Sequence, residues 1–108
     1  MSDQILKQIR IHTGVVRRIS KETRMYQKEA DEIKCSVDKM IADGKDSYDI
    51  KKKKELYDES AMMVPECEGR LKAAIEKLTN LIENNKELSE EELYIKAKSA
   101  LAEMNNMA

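Results

Sequence analysis

Through the first forty positions, apolar side chains return every seven residues. Ile9, Val16, Ala30 and Val37 form one row, with Thr23 as its polar member. Ile5, Ile19, Tyr26, Ile33 and Met40 form a second, with His12 as its polar member. The two rows are offset by three and four residues, the spacing of a coiled-coil seam. A pattern held in phase over this length commits the segment to one long helix that must find a helical partner. Composition agrees: 38% of residues are charged, Trp and Phe are absent, and the chain has three Gly and one Pro. That profile resembles a long-helix bundle and disfavours a pocketed enzyme.

Ser2 or Asp3 can cap the first helix and Gly44 can end it, giving a helix over about 3–43, roughly 60 Å long. Asp46 or Ser47 then caps a second helix over about 47–85. Its seam reads Ile50, Tyr57, Val64, Leu71 and Leu78, with Ala61, Ala74, Ile75, Leu81 and Ile82 filling alternate positions. The phase passes straight through Pro65, which predicts a kinked helix, because a true loop would reset it. Ser89 and Glu92 have capping-box spacing, with Leu88 and Leu93 at the staple positions. A third helix is therefore expected over 90–106, with Leu93, Ala97, Ala100, Leu101 and Met104 as its stripe, fraying over 105–108. The expected fold is all-α: an elongated antiparallel three-helix coiled-coil bundle in a single domain, 1–108, with a short third helix. Counting rise per residue, that helix lies beside 3–20 and roughly 66–85. Residues 21–64 are left with two helices, and Pro65 falls near the change.

Charge is polarised along the sequence. Residues 1–54 carry 14 Lys/Arg against 9 Asp/Glu, and residues 55–108 carry 6 against 12, although the net charge is only -1. Antiparallel packing sets these halves side by side, so nucleic acid is not implied, and the basic run has no interleaved aromatics for stacking. Cys35 and Cys67 form no CxxC pair, the start is polar, and the longest apolar run is far shorter than a membrane span. These features fit a reducing, cytosolic setting with no membrane partner. No catalytic constellation emerges. His12, alone of its kind, lies on the seam, and one histidine with two cysteines makes a poor zinc set. Cys67 reads as core and Cys35 as an exposed thiol. Lys51 to Lys54, followed by Arg17, Arg18 and Lys21, suit an acidic protein partner. Met25 and Met62 fall off the seam and suit a pliable apolar contact.

The segments TGVVRR (13–18), MYQKEA (25–30), SYDIKK (47–52), ESAMMVPECEGRL (59–71) and LIEN (81–84) closely resemble the tubulin-binding cofactor A family, in order and spacing. The resemblance implies a non-enzymatic, cofactor-free chaperone that captures β-tubulin after chaperonin release. It would exchange its client with other tubulin-folding cofactors and so serve α/β heterodimer assembly, in the cytoplasm and beside the cytoskeleton. The candidate partner surface is Arg17, Arg18 and Lys21 with Lys51, Lys52, Glu55, Glu59, Met62, Met63, Glu66 and Arg70. The chain would act as a monomer or homodimer. The competing reading is a self-associating structural coiled-coil adaptor, because Ile33, Val37, Met40 and Tyr57 are incompletely covered in a two-helix segment.

Overall fold

A computed structural model describes residues 2–106. Among them are three α-helices and no strand: α1 (Ser2–Ala42), α2 (Ser47–Glu83) and α3 (Glu92–Asn106), with a 3-10 turn at Lys86–Leu88 before α3. Asn105 and Asn106 are still helical; the rest of the expected fray, 107–108, lies outside the described residues.

The α1–α2 connection closes as its residues require. The Lys45 N–H donates to the Met40 carbonyl and the Gly44 N–H to the Ile41 carbonyl, the paired bonds of a Schellman motif. Gly44 adopts φ 66°, a left-handed conformation that L side chains rarely take. Asp46 then caps α2. Its Oδ1 accepts the Tyr48 N–H at 3.4 Å, and its carbonyl accepts the Ile50 N–H at 3.1 Å.

The start of α3 departs from expectation. The Ser89 N–H donates to the Lys86 carbonyl and the Glu91 N–H to the Leu88 carbonyl, so the chain first tightens into a 3-10 turn. Ser89 sits at φ -59°, ψ -21°, a helical conformation rather than the extended one an N-cap adopts. Glu91 instead provides the first helical acceptor, to the Ile95 N–H. The helix therefore begins at Glu92, and the Ser89–Glu92 capping box is not used. Leu88 does fill the core as its staple position predicts.

Packing divides the chain into two compact units. One comprises residues up to Ser20 and those from Gly69 onward, so it holds three helical segments. Its core joins Ile9 and Val16 of α1, Leu78 and Ile82 of α2, Leu88 of the turn, and Tyr94, Ala97 and Met104 of α3. Buried polar groups are satisfied locally. The Thr13 hydroxyl donates to the Ile9 carbonyl at 2.7 Å, and the Tyr94 hydroxyl donates to the Ile82 carbonyl at 3.2 Å. The Tyr94 bond ties the start of α3 to the end of α2.

His12 is half-buried in this unit, and burial first, then the Lys77 charge, lower its pKa from 6.5. A depressed folded value means the unfolded chain binds the proton more readily. The sign follows: this contribution is fully present above pH 6.5 and is lost as pH falls toward the lowered folded value. His12→Gln is expected to flatten that part of the stability–pH curve, which urea melts between pH 7.5 and 5 would read.

The other unit, Lys21–Glu68, holds two helical segments. The heptad row of α1 continues into it with Thr23, Ala30 and Val37 all buried, so Val37 is covered, contrary to expectation, whereas Ile33, Met40 and Tyr57 are only half-buried. From α2 the buried residues are Ser60 and Cys67, whereas the expected seam residues Ile50, Tyr57 and Val64 are only half-buried. These buried side chains are small, so two helices have little apolar area to share. Cys35 is exposed, as its position off the seam predicts.

Helix α2 runs unbroken from Ser47 to Glu83 with Pro65 inside it. Proline has no N–H to give the Ala61 carbonyl. The ring itself is exposed.

Candidate functional site

In the Lys21–Glu68 unit, spacings of three and four residues put Lys52, Glu55, Glu59, Met62, Met63 and Glu66 along one side of α2. The basic end of this stripe is organised by Tyr48. The Lys52 Nζ lies 5.5 Å from the Tyr48 ring centroid and 4.0 Å from Glu55. Lys52 and Glu55 thus form an i,i+3 pair on the exposed side of the helix. All three groups are exposed, so the contribution to stability is about 0–1 kcal/mol. Lys51 and Lys52 present their charge to solvent, the Lys52 ammonium from above the Tyr48 ring.

Farther along α2 the stripe turns apolar. Met62 is 66% exposed and Leu56 50%. Met63 is half-buried and enters a groove of about 370 Å³, with Leu56 beside it and Tyr26 and Ile33 facing from α1. Glu29 and Glu59 also line this groove, and the buried Ser60 borders it. Tyr26 and Ile33 read as seam residues from spacing alone; here they line an open groove. Leu56 was not distinguished by its spacing, since it follows the lysine run off the seam. At the groove's level the Gln27 amide donates to Glu68 at 3.5 Å, a contact between exposed groups across the two segments.

Lys21, Lys51, Lys52, Glu55, Glu59, Met62, Met63 and Glu66 therefore lie within one unit. Arg17, Arg18 and Arg70 belong to the other. The Arg17 guanidinium is held by Glu103 of α3 at 3.0 Å, a pairing across 86 residues. Arg18, Glu66 and Arg70 are exposed, and each has an interaction within the fold. Met25 is 54% exposed, consistent with its place off the seam. Among the described residues no group of three or more His, Cys, Asp or Glu could hold a metal ion, and no helix is long and apolar enough to cross a membrane.

The family model described as tubulin binding cofactor A matches residues 4–101. The chain belongs to the tubulin-binding cofactor A family. A relative from Gallus gallus named tubulin-specific chaperone A is 50% identical over 101 residues, covering 94% of each chain. The Homo sapiens protein of the same name is 46% identical with the same coverage. The solved structure of human tubulin chaperone cofactor a superimposes with a TM-score of 0.85 at 44% identity, over 94% of this chain and 98% of that one. The crystal structure of tubulin folding cofactor A from Arabidopsis thaliana gives 0.87 at 29% identity, over 95% and 97%. Cofactor A membership thus rests on sequence and on structure together, over nearly the whole length of both partners in each comparison.

Proposed function

We propose that this cofactor A chain is a tubulin-folding chaperone. It captures β-tubulin intermediates after chaperonin release and passes them to other tubulin-folding cofactors for α/β heterodimer assembly. The observation that carries this reading is the family match over residues 4–101, joined to relatives named for tubulin chaperoning. The chain acts without catalysis or a cofactor, as one three-helix domain, in the cytoplasm and beside the cytoskeleton.

The proposed partner surface is Arg17, Arg18, Lys21, Lys51, Lys52, Glu55, Glu59, Met62, Met63, Glu66 and Arg70. Its chemistry suits reversible holding. Exposed charges steer encounter and set register, while Met62 and Met63 supply apolar contacts that adapt to an incompletely folded surface. Affinity follows contact quality rather than area, so a surface with few deep anchors releases its client readily.

Reversal of both Lys51 and Lys52 to Glu is expected to weaken β-tubulin capture by about tenfold, with most of the loss at low salt. Far-UV circular dichroism would stay at the wild-type level, since both side chains are exposed. Unchanged affinity at low and moderate salt would remove the two lysines from the surface.

A second reading, self-association as a structural adaptor, draws on the exposure of Leu56, Met62 and Tyr48 in the two-segment unit. Light scattering of the chain mixed with chaperonin-discharged β-tubulin separates the readings. A particle with the combined mass of chain and β-tubulin supports the chaperone. A dimer of this chain, with β-tubulin left apart, supports the adaptor.

A further inference from the structure

From Gln4 to Lys21, α1 contains no carboxylate. Lys7, Arg10, Arg17 and Arg18 occupy one face of it at helical spacings of three, seven and eight residues, and all four are exposed. Gly14 stands at the centre of that face, three or four residues from Arg10, Arg17 and Arg18.

Nothing in the fold accounts for Gly14. It lies inside a regular helix and not in the left-handed conformation that Gly44 adopts. A Cβ built there would meet no atom within 4 Å. Alanine would suit the helix better, because glycine loses more backbone freedom on folding and weakens a helix interior. Glycine's remaining use is to let another backbone or ligand come close.

We propose that this face of α1, Lys7 to Arg18, is a docking surface for an acidic polypeptide segment that lies closest to the helix at Gly14. The surface already holds one carboxylate, since Glu103 sits 3.0 Å from Arg17 at its edge. Ile11, 42% exposed and three residues before Gly14, gives the segment an apolar contact beside the charges. The face spans about 16 Å along the helix axis, enough for roughly five extended residues or three turns of helix. Gly69 of α2 is equally open, but Glu66 and Lys72 border it with opposite charges, so it selects no partner chemistry.

The inference deepens the chaperone reading by naming the chemistry of a client segment, and it is tested apart from that reading. The full chain is titrated into a fluorescein-labelled peptide of about twelve glutamates, with anisotropy followed at low and moderate salt. Wild type is expected to bind, and Arg10→Glu to weaken binding by roughly tenfold. Gly14→Leu is expected to raise the melting temperature yet weaken binding by a similar factor, because it adds bulk without changing charge. Gly69→Ala should raise the melting temperature and leave the peptide affinity unchanged.

Absence of binding by wild type, or wild-type affinity in Gly14→Leu, overturns the proposal. Tighter binding of a thymidine oligonucleotide of equal charge, with displacement of the peptide, overturns it in favour of nucleic acid. Capture of β-tubulin by a chain that ignores the peptide removes the docking surface and leaves the chaperone reading. Gly14-dependent peptide binding without β-tubulin capture supports the docking surface and removes the tubulin assignment.

Discussion

Leu78→Ala is expected to cost about 2–5 kcal/mol, the range for removing a buried leucine from a core that relaxes only in part. Leu78 is fully buried, in one cluster with Ile9 and Val16 of α1, Ile82 of its own helix, and Tyr94, Ala97 and Met104 of α3. Truncation leaves a hole bordered by three helical segments. Ala97 cannot fill it, because it has no side chain to swing. Helix propensity contributes almost nothing, since alanine and leucine are both strong helix formers. Small domains are stable by roughly 5–15 kcal/mol, so the loss is a large share of the total. Thermal unfolding followed at 222 nm would show it as a shift of many degrees. A shift of a degree or two would mean that the cluster is not the main support of the three-segment unit.

Pro65→Ala has an expected effect of opposite sign. Proline in a helix interior costs about 3 kcal/mol relative to alanine, through the lost hydrogen bond and the clash with the preceding turn. Alanine restores a donor for the Ala61 carbonyl in a helix that already runs through this position. Against that, alanine gives the unfolded chain more freedom, which returns about 0.4–1 kcal/mol. The net expectation is a gain of roughly 2 kcal/mol. Urea unfolding reads the gain directly, and loss of stability would mean that packing around Pro65 needs the ring. If the more stable variant also captures β-tubulin less well, the proline's role is to shape the partner surface, the stability–function exchange expected where a local rule is broken at a site.

Much of the fold was legible because the heptad row is nearly unbroken. Ile9, Val16, Thr23, Ala30 and Val37 are all buried, including the polar member whose phase alone predicted it. The Schellman turn at Gly44 and the Asp46 cap followed from residues that do little else. Other features were hidden for physical reasons. Thr13, Ser20 and Ser60 are buried although none lies in the heptad rows; Thr13 hides by bonding the carbonyl four residues back in its own helix. In α2 the small residues Ser60 and Cys67 take the inward positions, which leaves the larger Tyr57 and Val64 at the edge. Ser89 and Glu92 satisfy a capping pattern that the 3-10 turn makes unnecessary, and no local signal announces such a turn.

The candidate partner surface was legible in a different way. Exposure of Met25 and Met62 followed from their places off the seam, and the one-sided stripe from Lys52 to Glu66 follows from helical spacing. The groove formed by Tyr26, Ile33, Leu56 and Met63 did not, because it depends on how deeply two helices without a third can cover each other. The Arg17–Glu103 pair joins residues 86 apart and has no local signature. Tubulin itself entered only through family likeness, since charge and exposed methionine describe a client's chemistry without naming it.

The proposed chaperone selects one tubulin subunit. Purified chain should be incubated with tubulin newly discharged from chaperonin, and the complexes separated on a native gel and identified by mass spectrometry. The expected band contains this chain and β-tubulin, without α-tubulin. A band carrying α-tubulin equally, or a chain that migrates alone beside unbound β-tubulin, would contradict it.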